Sequence, residues 1–293
     1  MKKRIETKEY RTAEVTCLAR AMSFYEKNKI LKSEDFIAPM ILPPLFKMLL
    51  KSNIIRTLFK KVFFHFGIYE YVIARTKYID EIFKSIKDDF KQILIFGAGF
   101  DSRAIRFNNN LKDLTVFELD TPATQIAKIN QFKKQGIEFS TNLKFISIDF
   151  EKETLNQKLE KSGFKKYETC LFLLEGLTMY LDPKSIDITF STIKEFAGHN
   201  SLIIFDYVYS SVITGESNSY GVKGIRKWVK KYGEKWVFDI EKGQIQEFLN
   251  RYDFELVDES DYNKLSDKFF KDQNGNNKTK INGAHCIITA RKK

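Results

Sequence analysis

The sequence is poor in the residues that staple or punctuate a chain: 293 residues carry 3 cysteines and 5 prolines. Cys17, Cys170 and Cys286 stand too far apart for a disulfide framework or a Cys-x-x-Cys metal or redox pair, so a reducing, cytoplasmic setting is expected. The 3 histidines, His65, His199 and His285, belong to no Cys/His/Asp cluster at ligand spacing, so no metal site is expected. A Gly-x-Ser-x-Gly nucleophile elbow is absent, as is any internal repeat. No stretch reaches the roughly 18 to 20 apolar residues of a spanning helix. The opening from Met1 to Arg11 is too charged for a secretory signal.

What is present is 43% hydrophobic and 30% charged, enough for one large core or two modest ones. A peptide hormone, a disulfide mini-protein and a disordered tail are excluded. Lys+Arg 49 against Asp+Glu 38 leaves a net charge of +11. The lysines are spread among Ile, Asn and Phe rather than gathered in a block, which reads as solvated surface and not as a nucleic-acid face.

From Ala13 to Ile86 the apolar residues recur at helical spacing. Short β-rich runs then follow: Ile93–Phe96, Thr115–Leu119, Leu143–Ile148, Thr169–Leu174 and Ser201–Phe205, with helix-length segments between them. That alternation predicts an α/β fold with a mostly parallel sheet whose ligands bind at the carboxyl strand ends. A helix over Lys242–Tyr252 and strands over Phe254–Val257 and Ala284–Ala290 complete seven strands, the last antiparallel. The polar Lys271–Lys280 segment reads as a mobile loop. The expected organisation is a helical cap over 1–90, a cofactor-binding core over 91–206, a lid insertion over 207–240 and a sheet-completing unit over 241–293.

The strongest local signal is an apolar strand running into Gly97-Ala98-Gly99 and then a helix. Glycines there allow a tight turn and close approach of backbone to ligand. Ser102 stands where a dinucleotide fingerprint wants its third glycine, which counts against a pyrophosphate. Asp120 lies about 20 residues on, where an acid accepts hydrogen bonds from ribose hydroxyls. A glycine turn and a ribose acid without the third glycine fit an adenosyl ligand such as S-adenosylmethionine. Asp149 with Phe150 ends the third strand, where an adenine would lie, and Glu175 ends the fourth. Each carboxylate singly is more often a helix N-cap than a ligand contact, and it is the row of compatible strand ends that points to a ligand.

These residues resemble the leucine carboxyl methyltransferase family, first in Gly97-Ala98-Gly99-Phe100-Asp101-Ser102-Arg103. Further matches follow in order: Arg75-Thr76-Lys77-Tyr78-Ile79-Asp80, Phe117-Glu118-Leu119-Asp120 with Pro122, Thr124, Gln125 and Lys128, Asp149-Phe150, Glu175 through Leu181, Asp206-Tyr207-Val208, and Gly233-Glu234. The resemblance covers roughly residues 12 to 258. It implies a class I, Rossmann-like methyltransferase fold: a seven-stranded, mostly parallel sheet with a helical N-terminal cap. It also implies S-adenosylmethionine-dependent O-methyl transfer. Family cofactor contacts fall on Arg75 (methionine carboxylate), Gly97 with Gly99, Asp120 (ribose), Asp149 with Phe150 (adenine) and Glu175, with Arg20 as the basic N-terminal residue. Ser33–Pro39 departs from the usual pattern, so the acceptor is not carried over.

A carboxylate of a small-molecule or peptide-like acceptor is expected, because it is ionised at pH 7 and needs no general base. No histidine is expected at a strand end facing the cleft; Tyr180, Tyr207 and His65 are the candidates for a base. The rival readings are a nicotinamide-dependent oxidoreductase and a basic nucleic-acid-binding module. Leu45 through Phe66 is basic and aromatic; a lid over an apolar pocket is preferred there to a membrane-interface segment. Arg103 and Arg106 either clamp an anion or pair with Asp101 and the sheet edge.

Overall fold

The computed structural model describes residues 2–86, 89–149, 153–232 and 235–293, with side chains described in 12–86, 89–149, 153–230 and 235–293. Four helices precede the sheet: α1 (Lys2–Phe24), α2 (Pro44–Leu49), α3 (Asn53–Phe63) and α4 (Ile68–Lys84). Pro44 opens α2 at a first-turn position, where its missing N–H costs nothing. Gly67 enters α4 at φ 78°, and a Cβ there would collide with Lys280 O at 2.6 Å. Helix α4 buries Arg75 and Asp80 along with its apolar face, and charges hide in a helix only when paired.

The alternating unit then runs β1 (Gln92–Phe96), α5 (Arg103–Arg106), β2 (Thr115–Asp120), α6 (Pro122–Lys134), β3 (Leu143–Ser147) and α7 (Leu155–Ser162). It continues through β4 (Cys170–Leu174), a 3₁₀ turn (Thr178–Tyr180), α8 (Pro183–Phe196), β5 (Leu202–Val208), α9 (Ser210–Thr214) and α10 (Val222–Tyr232). The chain ends with α11 (Ile245–Asn250), β6 (Phe254–Ser260), α12 (Tyr262–Phe269) and β7 (His285–Lys292). The seven strands are ordered β3-β2-β1-β4-β5-β7-β6. The first five are parallel, and β7 lies antiparallel between β5 and β6.

Alternation splits the sheet between two cores. Ile93 and Ile95 of β1 face the core that holds Ala19, Met22 and Ile79 of the leading helices. Leu94 and Phe96 face the other, with Phe190 of α8 and Phe248 of α11. Val222, Ile225 and Val229, spaced as one face of α10, join the second core, so the 207–240 segment is packed onto the sheet.

All seven strands fall where the alternation predicts them. Three details differ. Gly243 at φ 89° delays α11 to Ile245. Helix α12 was not expected: it buries only Leu265 and Ser266, too little for a periodic signal, and rests on Asp261 accepting from Asn263 N and Lys264 N. The Lys271–Lys280 segment is a closed turn, with a bridge between Lys271 and Asn277 and Asp272 Oδ1 accepting from Asn274 N and Asn276 N at 2.9 Å each.

Phe190 is fully buried, 5.1 Å from the ring of Phe205 and 4.9 Å from that of Phe248. Phe190→Ala should lose about 3–5 kcal/mol in urea unfolding. Exposed Ile188→Ala on the same helix should stay within about 0.5 kcal/mol. Equal losses would contradict this packing.

Candidate active site

Strand order reverses between β1 and β4, and in open α/β sheets ligands bind at the carboxyl edge of such a switch point. The loop after β1 turns at Gly97 and Gly99, with φ 56° and 47° in the left-handed region that strains any side chain. A Cβ on Gly99 would lie 3.1 Å from Ala13 Cβ, so α1 passes over the turn. Ala98 N donates to Leu119 O at 3.2 Å and Gly99 N to Asp120 Oδ2 at 2.6 Å, which pins the turn to the end of β2. Burial raises the Asp120 carboxyl above its ordinary range, opposed by the N–H donors of Gly99 and Thr121. Ile148 N donates to Asp120 O, which carries the exit of β3, and with it Asp149, alongside Asp120.

At the exit of β4, Glu175 lies between two guanidinium groups, with Arg75 Nε at 3.0 Å and Arg103 Nη1 at 2.6 Å. Arg75 Nη1 also reaches Asp206 Oδ2 at 2.5 Å, an oxygen shared with the Tyr71 hydroxyl at 2.9 Å. Gly176 N donates to Asp206 Oδ1 at 2.6 Å. Arg103 continues to Asp101 at 2.5 Å and Asp80 at 2.8 Å. Arg106 binds Asp80 at 2.8 Å and reaches Asp35 at 3.4 Å. Arg20 donates to Phe100 O at 2.6 Å, and its Nε forms an ion pair with Asp35 at 3.0 Å that lacks hydrogen-bond geometry.

None of these nine charged side chains is more than 11% exposed. Four guanidinium groups (Arg20, Arg75, Arg103, Arg106) against five carboxylates (Asp35, Asp80, Asp101, Glu175, Asp206) leave one formal negative charge. Burial alone would raise the Glu175 carboxyl, but Arg103, Arg75 and Arg20 hold it down to about 2. Burial acts likewise on Asp35, where Arg20 and Arg106 win and lower it. Two donors of the cluster, Arg20 Nε and Arg103 Nη2, are buried and have no hydrogen-bond partner among the described residues.

A histidine does stand at this edge, contrary to expectation. Because β7 runs antiparallel to β5 and pairs His285 with Val208, its first residue meets the carboxyl ends of the parallel strands. His285 stacks on Tyr71 at 4.4 Å and meets Trp236 edge-on at 5.1 Å. Burial pushes its pKa down to about 4 despite the Asp206 charge, so the ring is neutral at pH 7. His285 Nδ1 and Trp236 Nε1 are both buried without a hydrogen-bond partner among the described residues.

Arg20, Arg75, Gly97, Gly99, Asp120, Asp149 and Glu175 are thus gathered along one sheet edge, and Phe150 lies outside the described residues. The candidate bases are dispersed. Tyr180 is the one exposed residue of the 3₁₀ turn after Glu175, whose Thr178 and Met179 are buried. Tyr207 follows Asp206 in β5 and so faces the other side of the sheet, donating to Glu259 at 3.0 Å. His65 lies between α3 and α4 against Phe66. Arg103 does pair with Asp101, the non-clamp reading of that residue. Sequence reasoning missed Asp206, Asp80 and Asp35; the available signal was a carboxylate inside an apolar strand or a buried helix face.

Comparison with known proteins defines the class. The profile of the family described as leucine carboxyl methyltransferase matches residues 13–194. YktD of Bacillus subtilis, provisionally named an S-adenosyl-L-methionine-dependent methyltransferase, is 27% identical over 205 residues, 70% of this chain and 67% of that protein. A Mycobacteroides abscessus protein of the same provisional name is 32% identical over 154 residues, 50% of this chain and 51% of its own. The chain therefore spans between half and two thirds of these relatives. Among solved structures, the magnesium protoporphyrin IX methyltransferase of Synechocystis PCC 6803 with bound S-adenosylhomocysteine matches at TM-score 0.48 and 10% identity, covering 76% of this chain and 85% of that one. The StiE O-methyltransferase segment also reaches 0.48, at 14% identity and 81% of each chain.

The chain belongs to the leucine carboxyl methyltransferase family, and with it to the S-adenosylmethionine-dependent methyltransferases.

The cluster makes two pH windows separable. Glu175, lowered from an ordinary 4.5 to about 2, gives stability that is complete above about 4.5 and lost as pH falls toward 2. His285, lowered from 6.5 to about 4, gives stability complete above 6.5 and lost as pH falls toward 4. In urea unfolding, His285→Gln should flatten the stability profile between pH 7 and about 5, and Glu175→Gln between about 5 and 3. Glu175→Gln should also lose about 1.5–3 kcal/mol at pH 7, the range for a hydrogen bond to a charged group, because Arg75 keeps Asp206 and Arg103 keeps Asp101 and Asp80. Wild-type slopes in both variants would refute the assignments.

Proposed function

We propose that the protein transfers the methyl group of S-adenosylmethionine to a carboxylate oxygen of a small-molecule or peptide-like acceptor. The observation that carries the reading is the buried cluster at the β1/β4 switch point, short of one positive charge beside a turn that admits no side chain. S-adenosylmethionine carries an ammonium, a sulfonium and a carboxylate, a net single positive charge. Its positive charge matches the one the cluster is short of, and its carboxylate matches the unpartnered Arg103 Nη2. When bound, the group supplies an electrophilic methyl on sulfur.

In this reading Gly97 and Gly99 offer backbone to the nucleoside, and Asp120 accepts from the ribose hydroxyls, trading its Gly99 contact. Asp149 accepts from the adenine amino group, with Phe150 beside it. Arg75 and Arg20 face the methionine carboxylate, and Glu175 the ammonium. The chain's own contribution to rate is to hold the two reactants in line in a cleft poor in water. The +11 net charge raises the local concentration of an acidic acceptor.

His285 supports a second reading, with a hydroxyl as acceptor. A neutral imidazole at the carboxyl edge can take a hydroxyl proton as general base, or donate its N–H to a carboxylate. Product methylated with a labelled cofactor separates the two: esters release labelled methanol in mild alkali and ethers do not. Alkali-labile label is expected; alkali-stable label would move the assignment to the hydroxyl.

Binding is tested by titration calorimetry with S-adenosylhomocysteine. Asp120→Ala should weaken it by about 1.5–3 kcal/mol through lost charge-assisted hydrogen bonds. Unchanged affinity in a folded variant would remove Asp120 from the site.

A further inference from the structure

The hairpin of α2 and α3 is built inside out. Arg56, 1% exposed, donates to Leu50 O at 2.8 Å and Lys51 O at 3.1 Å and lies 3.8 Å from Glu26. Lys60 turns inward as well, to Glu26 at 2.8 Å and over the Tyr69 ring at 4.0 Å. Phe59 packs on the core, but three other apolar side chains of α3 point the other way: Ile54, Leu58 and Val62 are 82%, 55% and 54% exposed. They recur every four residues, so they form one stripe along α3. Leu45 and Met48 of α2 and Phe63 and Phe66 beyond are exposed too. Lid helices over an apolar pocket would bury these side chains, so the lid expected over Leu45–Phe66 does not describe this hairpin.

An exposed apolar stripe of this length marks a partner. The charge pattern says which kind. Between Asp35 and Glu70 the chain has no acidic residue, and with Arg56 and Lys60 turned inward the basic side chains left toward solvent are the exposed Lys51 and Lys61 and the half-buried Lys47. Phe66 leads into α10, whose Gly224 packs on its ring; α10 is likewise without an acidic residue and exposes Lys223, Lys227 and Lys230. A second copy of the chain would set like charges against like, each copy carrying +11. A surface that is apolar beneath and anionic above matches both features at once.

We infer that the α2–α3 hairpin docks the protein on the interface of an anionic lipid bilayer, with the Ile54–Leu58–Val62 stripe among the acyl chains and lysines at the headgroups. The docking is peripheral: no helix among the described residues is long and apolar enough to cross a membrane.

The test is flotation of the full-length protein with phosphatidylcholine vesicles, with and without about 30% phosphatidylserine. The protein should float with the anionic vesicles, stay behind with the neutral ones, and be released as salt rises. Ile54→Glu combined with Leu58→Glu should lower the partition coefficient about tenfold or more while leaving the melting temperature unchanged, since both side chains are already in water. Lys61→Glu should weaken binding to anionic vesicles alone. No flotation, undiminished flotation of the double variant, or a concentration-dependent dimer that the double variant abolishes would each overturn the inference.

Discussion

The Glu175 carboxylate, held between Arg75 and Arg103, is the interaction on which the site depends. Through those two guanidinium groups it ties β4 to α4 and to α5, and through Asp206 to β5. Arg20 and Asp35 extend the same network to α1 and the segment that follows it. Removing charge from water is costly, and only mutual pairing offsets the cost, so every member constrains the others. The leading helices are thus fastened to the sheet by ions as well as by the core, at the one edge where the strand order reverses.

The same fastening explains why the fold was legible and the site only partly so. Strands such as Gln92–Phe96 and Cys170–Leu174 announce themselves as unbroken apolar runs, and the Gly97 turn by two glycines at a strand end. Strand-end residues could be placed by order alone, which is how Asp120, Asp149 and Glu175 were located. Their partners could not: Asp80 to Arg103 and Arg75 to Asp206 are contacts across the fold, and nothing local in the sequence pairs them. Position in sequence also misled at His285, because an antiparallel last strand brings its beginning, not its end, to the ligand edge. Tyr207 fails for the opposite reason, since one step along a strand changes the face.

His285 Nδ1 and Trp236 Nε1 are buried without a hydrogen-bond partner among the described residues, beside Tyr71. Buried polar groups are rarely idle, and these two are the groups that the proposed hydroxyl-acceptor reading would use. The α2–α3 hairpin faces away into solvent with its apolar stripe, a property of the surface separate from the chemistry at the sheet edge.

The central claim, that the cluster and the glycine turn form the cofactor site, is tested most directly by amide hydrogen exchange with and without S-adenosylhomocysteine. Ligand should slow exchange in residues 97–103, 118–121 and 175–180 together, since those three segments meet at the switch point. No change in any of them, or protection confined to residues 207–240, would contradict the account.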